Sequence, residues 1–296
     1  MNRTKYKYLL SCIILSCIVL SLTGCSFSSK TSSVTSDNKA QNGQREIQPL
    51  RIAGSGSNIP LMQILLDEYG KKSGVHINIP VSIGTAGAVK ALQENQLDIG
   101  LISRELKDSE KQTGLKQISY AKIAIVFGVH RQVPDNNINS DDLVAIYEGK
   151  KNTWSNGKNI IVQVREKGDS SNAVLEKDVP GFKKVLDEAL NSRRWEIYYT
   201  DQEASDAIKT TPNAIGLTDS VAIKIENQIK PLKLNGVEPI LDNIRNDSYP
   251  YNKVLFFAYK EPLSEQAKNF LEYVYSAEGQ KIIANYDSLP LKGEFD

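Results

Sequence analysis

Two kinds of hydrophobic spacing alternate along the chain from residue 50 onwards and predict alternating strands and helices. Short apolar runs bounded by Gly, Ser, Asn or Pro indicate strands, whereas apolar residues three or four positions apart indicate amphipathic helices. The predicted strands are Leu50–Ala53, His76–Ser82, Leu97–Ile102, Tyr120–His130, Ile160–Val164, Ala214–Thr218 and Val254–Tyr259. The predicted helices include Leu61–Tyr69, Ser140–Tyr147, Phe182–Asn191, Gln202–Lys209, Ser264–Tyr275 and Glu278–Tyr286. This alternation is typical of an α/β fold.

Four of the predicted strands end in loops that carry Gly, Ser, Thr or Arg. These loops are Gly54–Pro60, Ile83–Ala88, Ser103–Glu105 and Arg165–Asn172. The first-turn amides of a helix lack partners inside the helix and favour negative charge, and open α/β sheets bind ligands outside the carboxyl ends of their strands. Each loop alone fits an ordinary helix cap. Their recurrence predicts an anion site, with Arg165 as a planar cation suited to phosphate or carboxylate oxygens.

The first 24 residues have the features of a secretory signal peptide. Three positive charges precede an apolar run that ends at Leu22, and Leu22-Thr23-Gly24 leads directly to Cys25. This ending resembles a bacterial lipobox, which implies cleavage before Cys25 and lipid on its sulfur; a plain signal peptide with a chance cysteine is the alternative. Residues 25–49 are mostly polar, so we interpret them as a flexible tether.

Removal of the predicted signal peptide changes the charge and cysteine content of the chain. The formal net charge of +1 for 296 residues becomes −2, because three positive charges leave. Cys12 and Cys17 leave with the peptide, so the mature domain has no cysteine for a disulfide. A near-neutral surface argues against nucleic acid or broad attachment to acidic lipid. Anion affinity should therefore come from a local site.

Motifs for catalysis, cofactors and metals are weak. His76 and His130 are the only histidines, and neither has Cys or Glu at the spacing of metal ligands. Ser170 and Ser171 lack the Gly-x-Ser-x-Gly pattern of a nucleophile, and no dinucleotide-binding glycine motif occurs. We expect no enzyme, cofactor or metal, although a pair of catalytic carboxylates stays open at this point.

Several segments together resemble the substrate-binding component of bacterial phosphate import transporters. They are Asp98–Arg104, Ile146–Gly149 with Trp154, Ala214–Leu217, Gly236–Pro239, Asn243–Pro250 and Ser276–Gln280. The resemblance covers about Leu50 to Leu291. It implies a type II periplasmic-binding-protein fold, in which two three-layer α/β lobes are joined by a two-strand hinge. We expect residues 50–127 and 218–296 to form lobe I and residues 128–217 to form lobe II.

The resemblance also implies a ligand, partners and site residues. It implies a lipid-anchored monomer on the extracytoplasmic face of the membrane, which binds inorganic phosphate and delivers it to the permease of an ABC transporter. The ligand-binding residues that it implies are Ser55, Ser57, Asn58, Thr85, Ser103, Arg165, Asp169, Ser170 and Ser171, with the register of the first loop open between Ser55, Ser57 and Asn58.

This chain departs from the family's pattern at three places. Ser103 stands where well-known members carry an aspartate that accepts the proton of bound phosphate. Asp169, Ser170 and Ser171 stand where many members have Ser-Gly-Thr. One hypothesis is that Asp169 takes over the proton-accepting role; the alternative is that it only caps the following helix. Asn252-Lys253 replaces an arginine, for which the sequence suggests no function. Another tetrahedral oxyanion, a phosphate ester, and a lipid-anchored sensor or interaction protein stay open as alternatives.

Overall fold

The computed structural model describes residues 49–293. The predicted signal peptide, Cys25 and residues 26–48 of the predicted tether lie outside the described residues. Between residues 49 and 293, no helix combines the length and the apolar character that crossing a membrane requires.

Helices and strands alternate through the described part of the chain. The helices are α1 (Ile59–Ser73), α2 (Gly84–Gln93), α3 (Asp108–Lys111), α4 (Ser140–Glu148), α5 (Ser170–Asp178), α6 (Phe182–Ser192), α7 (Asp201–Thr210), α8 (Ser220–Ile225), α9 (Leu241–Arg245), α10 (Glu265–Tyr275) and α11 (Ala277–Asn285). The strands are β1 (Ile52–Gly54), β2 (Ile99–Ile102), β3 (Leu115–His130), β4 (Asn137–Ile138), β5 (Ile161–Arg165), β6 (Glu196–Tyr198), β7 (Ala214–Asp219), β8 (Ile229–Pro231), β9 (Lys233–Leu234), β10 (Asn252–Lys260) and β11 (Ser288–Pro290). The order confirms the α/β class.

One long strand, β3, connects the two halves of a mixed sheet. The strands lie side by side in the order β1, β2, β10, β3, β7, β5 and β6, while β11 and β8 also pair with β3. The first part of β3 is antiparallel to β10, and Ile125–Val129 are antiparallel to β7. β1 and β2 are parallel, as are β5, β6 and β7. The carboxyl ends of parallel neighbours meet at one edge, so each half of the sheet brings its loops together.

Hydrophobic side chains form separate cores in the two lobes. The first core packs α1 and α10 on β2, β3 and β10, with Tyr120 and Phe257 stacked at a centroid distance of 4.3 Å. The second core packs α4, α5 and α6 on β3, β5 and β7, around Phe127, Tyr147 and Phe182. A smaller cluster beside the first core contains Leu92 and neighbouring side chains of α2, β2 and β10. Burial of these aromatic and aliphatic side chains supplies most of the driving force for folding.

The passage that precedes β10 packs in the second core. The side chains of Leu232, Leu234, Ile244, Tyr249 and Tyr251 all belong to that core. Its position differs from the expected assignment of residues 218–296 to lobe I, because the chain contributes Val221 of α8 to the first core and then packs in the second core until β10.

One further sequence expectation differs from the structure. The predicted strand His76–Ser82 pairs with no strand among residues 49–293. Ile77 is buried against the first core without joining the sheet, so its apolar spacing reflects packing rather than a β-ladder.

Candidate functional site

A cleft of about 1010 Å³ opens at the edge where the loops of the two lobes meet. It lies beyond the carboxyl ends of β1, β2, β5 and β6, as expected for a ligand site in an α/β sheet. Six of the nine predicted site residues line it, namely Ser55, Thr85, Ser103, Arg165, Asp169 and Ser170. The recurrence of polar loops after predicted strands therefore located the cleft.

The hydroxyl of Ser103 is used within the first lobe. Ser103 Oγ donates to Ser55 Oγ at 2.8 Å and accepts from Asn58 Nδ2 at 2.9 Å. Asn58 Oδ1 in turn accepts from the hydroxyl of Tyr120 at 2.8 Å, and Asn58 is fully buried. Asn58 thus positions Ser103 from behind, whereas Ser55 and Ser103 reach the cleft.

The second predicted loop places the start of α2 at the cleft. Gly84 has a φ of +68°, a left-handed conformation that favours glycine, and it turns the chain into the helix. Thr85 Oγ1 accepts from the Ser103 amide at 3.1 Å. Ser82 Oγ accepts from the Gly84 amide at 3.3 Å, but the N-cap residue Ile83 has no side-chain oxygen for the amides that follow. The first turn of α2 can therefore offer its amides, at Thr85 and Ala86, to an anion.

Arg165 ends β5 and is almost completely buried, with 4% of its surface exposed. Its Nη2 atom donates to Asp169 Oδ2 at 3.2 Å and to the Tyr199 carbonyl at 3.4 Å. No residue between 49 and 293 accepts a hydrogen bond from Nε or Nη1. A buried cation with unspent donors is costly, so these atoms are suited to an incoming anion.

Asp169 caps α5. Its Oδ1 accepts from the amides of Ser171 at 2.9 Å and Asn172 at 3.2 Å, while its Oδ2 accepts from Arg165. Burial alone would raise the pKa of the Asp169 carboxyl, but the charges of Lys253 and Arg165 outweigh burial and hold that pKa below its usual value. The helix cap that we gave as the alternative role of Asp169 is thus present. Its carboxylate already accepts from the amides of Ser171 and Asn172, which an external anion would otherwise use at the start of α5.

Lys253 is a site residue that the sequence analysis left without a function. It is 5% exposed, and its Nζ donates to Ser57 Oγ at 2.5 Å, Ser171 Oγ at 2.7 Å and Ser170 Oγ at 3.3 Å. Ser57 comes from the first lobe and the other two serines start α5 in the second lobe. A charged residue at the beginning of an otherwise apolar strand was the available signal. Lys253 thus links serines of both lobes.

Asp201, at the start of α7, is the second site residue that sequence reasoning missed. Its Oδ1 accepts from the Ser57 hydroxyl at 3.0 Å, and its Oδ2 lies 3.6 Å from Arg165 Nη2. Asp201 lines the cleft and its side chain is 17% exposed. A capping box of Thr200 and Glu203 surrounds it, so the sequence signal indicated only a helix start.

Asp219 ends β7 behind these residues. Burial raises the pKa of its carboxyl to about 6, against the opposing effects of a hydrogen bond from the Ala222 amide and the charge of Lys253. The strand register explains why Lys253 and Asp219 are neighbours: Lys253 pairs with Ile123 and Asp219 with Ile125, on opposite sides of β3. The inner site therefore combines two cations with three carboxyl groups.

No group of His, Cys, Asp or Glu within the described chain is arranged to hold a metal ion. His130 Nδ1 accepts from the Gln132 amide at 3.3 Å at the end of β3, and His130 is not among the residues that line the cleft.

Comparisons with known proteins give consistent matches. Residues 32–278 match the family model described as the PBP superfamily domain. The phosphate-binding protein PstS of Borreliella burgdorferi is 22% identical over 252 residues, which cover 81% of this chain and 89% of that protein. The phosphate-binding protein PstS of Bacillus subtilis is 23% identical over 261 residues, which cover 85% and 83%. A solved structure from Clostridium perfringens, named as a phosphate ABC transporter substrate-binding protein with bound phosphate, is 28% identical with a TM-score of 0.71 and covers 82% of this chain and 100% of that chain.

Proposed function

Because the chain belongs to the family of PBP superfamily domains, we propose that it is an extracytoplasmic solute-binding protein that captures inorganic phosphate in the cleft between its lobes. The names of the PstS relatives and of the Clostridium perfringens structure support this ligand. Binding, and not bond-making, is the proposed chemistry.

The observation that carries the proposal is the buried guanidinium of Arg165. Its Nε and Nη1 atoms have no hydrogen-bond partner among residues 49–293, although the side chain is 4% exposed and lines the cleft. Phosphate oxygens are acceptors that match the planar donors of arginine. A bound phosphate would satisfy donors that otherwise carry a desolvation cost of about 1–3 kcal/mol each.

The start of α2, at Thr85 and Ala86, is the proposed second contact. Its free first-turn amides favour an anion, and the hydroxyls of Ser55 and Thr85 are close to the same part of the cleft. Arg165 comes from the second lobe, whereas α2 belongs to the first. An anion that contacts both would stabilise the closed arrangement of the lobes.

The remaining site residues have supporting roles in this proposal. Ser103 organises Ser55 and Thr85 through hydrogen bonds. Ser57, Ser170 and Ser171 orient Lys253, and Asp169 orients Arg165. Asn58 is a positioning residue for Ser103.

Delivery and anchoring complete the proposal. The closed form would dock as a monomer on the permease of an ABC importer and release phosphate when the transporter separates the lobes. Lipid on Cys25 and the polar tether of residues 25–49 would hold the domain at the outer face of the cell membrane; this part rests on the sequence alone.

Calorimetric titration of the purified chain with phosphate tests the ligand. Co-purified anion is first removed by unfolding, dialysis and refolding. We expect one phosphate per chain, and at least tenfold weaker binding by Arg165→Lys, because lysine keeps the charge but loses the planar donors.

Arg245→Lys is the matched control. Arg245 pairs with Asp242 on α9 and its side chain is 55% exposed, so its replacement should leave phosphate affinity unchanged. A chain that gives no saturable binding of phosphate after removal of bound anion would contradict the proposal.

A further inference from the structure

Three carboxyl groups surround the two buried cations of the site, and they differ in the oxygen atoms that they leave free. Asp169 uses Oδ1 for two amides and Oδ2 for Arg165. Asp219 uses Oδ1 for the Ala222 amide and is 3% exposed, outside the cleft lining. Asp169 therefore has both oxygens bound, and Asp219 lies outside the cleft.

Asp201 is different because one of its oxygens accepts no hydrogen bond from residues 49–293. Its Oδ1 accepts from Ser57, whereas Oδ2 forms an ion pair with Arg165 Nη2 at 3.6 Å, which is beyond hydrogen-bond length. Nη2 already donates to Asp169 and to the Tyr199 carbonyl. Among the carboxylates next to Arg165, Asp201 is thus the one that lines the cleft with an unspent acceptor.

The first lobe is shaped to receive this carboxylate. A Cβ atom added at Gly56 would overlap Asp201 Oδ2. Gln202, the next residue of α7, donates from Nε2 to the Gly56 carbonyl at 3.1 Å and keeps α7 against this loop. The absence of a side chain at Gly56 therefore lets the carboxylate of the second lobe reach the ligand loop of the first.

The charges of the inner site oppose a fully ionised dianion. Arg165 and Lys253 are the cations, and Asp169, Asp201 and Asp219 are the carboxyl groups. Further out, the cleft is lined by Arg104, Lys107, Lys177, Glu166 and Asp178. Arg104 is already paired in bidentate fashion with Glu110, at 2.7 and 2.8 Å. Because three carboxyl groups surround them, the inner cations Arg165 and Lys253 are largely neutralised before a ligand arrives. An anion that carries a proton therefore meets less repulsion than a fully ionised dianion.

We infer that Asp201 determines the ligand specificity of the cleft by accepting a hydrogen bond from a protonated oxyanion. The inference rests on the proposed function and assigns the acceptor to the second lobe, in place of the Ser103 position and of Asp169. A carboxylate is an acceptor only, so its free Oδ2 forms a strong O–H···O⁻ bond with protonated phosphate. Sulfate has no proton at neutral pH and would place one of its oxygens against this acceptor, which is unfavourable.

The test compares phosphate and sulfate affinities of the purified chain and of Asp201→Asn by calorimetry near neutral pH. The asparagine amide can donate to a sulfate oxygen, so we expect the phosphate-to-sulfate preference to fall at least tenfold, largely through gained sulfate binding. Asp201→Glu should retain the preference for phosphate. Asp206→Asn is the matched control, because Asp206 lies on the same helix, carries the same charge and is 67% exposed beside Lys209.

A purely structural role of Asp201, through its contact with Ser57, would weaken both anions equally. An unchanged preference in Asp201→Asn, with phosphate still bound by the unmodified chain, would overturn the inference and leave the proposed function intact. Absence of phosphate binding by the unmodified chain would instead overturn the proposed function, and this inference with it. If Asp201→Asn fails to fold, Gly56→Ala provides the second variant: its methyl group displaces the carboxylate, and an unchanged preference there would equally overturn the inference.

Discussion

Replacing Asp219 by Asn is expected to stabilise the protein at neutral pH and to change its stability little near pH 4. Asp219 is 3% exposed at the end of β7, and its Oδ1 accepts from the Ala222 amide at 2.9 Å to begin α8. An asparagine oxygen can accept the same hydrogen bond and carries no charge. The variant therefore isolates the cost of an ionised carboxylate at this buried position.

The expected magnitude follows from the pKa of Asp219. Burial raises this pKa from 3.8 to about 6, so the folded protein retains a proton that the unfolded chain releases. The stability contributed by the protonated carboxyl is present below about pH 4 and is lost as the pH rises through about 6. A shift of roughly two pKa units, at about 1.4 kcal/mol each, corresponds to a loss of roughly 3 kcal/mol in the free energy of unfolding.

Urea unfolding of the two proteins between about pH 4 and pH 8 measures this difference. The free energy of unfolding of Asp219→Asn minus that of the unmodified chain should increase by roughly 3 kcal/mol across this range. Asp108→Asn, at a carboxylate that is 95% exposed, controls for the loss of one negative charge and should give a flat difference. A flat difference for Asp219→Asn as well would refute the reasoning.

Two further substitutions test buried polar contacts by the same unfolding measurement. Tyr249→Phe removes the hydroxyl that donates to the Ile125 carbonyl at 2.8 Å inside the second core, so we expect a loss of about 1–3 kcal/mol, and an unaltered stability would contradict this. Lys253→Met removes the cation that faces Asp169 and Asp219; we expect a loss of about 3 kcal/mol or more near pH 8. The loss should be smaller near pH 5, where Asp219 is partly protonated, and equal losses at the two pH values would argue against this charge coupling.

Local sequence patterns were sufficient to place the main strands and the cleft. Apolar runs located β2, β5, β7 and β10, because a buried strand must be apolar on both faces. Loops of Gly and hydroxyl residues after predicted strand ends located Ser55, Thr85 and Arg165 in the cleft, although the segment before Thr85 forms no strand. These features depend on neighbours in the chain, so the sequence displays them directly.

Contacts between distant segments could not be predicted in this way. Lys253 and Asp219 come together only through their pairing with β3 at Ile123 and Ile125. Asp201 reaches the site because α7 packs beside the loop around Gly56, and these two segments are far apart in the sequence. The same limit explains why residues 232–251 were expected in the first lobe, since their packing depends on tertiary contacts and not on local spacing.

The most direct test of phosphate binding in this cleft is the NMR signal of the Arg165 Nε–H group, followed during titration of the purified chain with inorganic phosphate. The missing signal in Arg165→Lys identifies it. We predict a change in this signal that saturates at one phosphate per chain, because Nε has no partner among residues 49–293. An Arg165 signal that stays unchanged while phosphate binds, or a chain that binds no phosphate, would contradict the account.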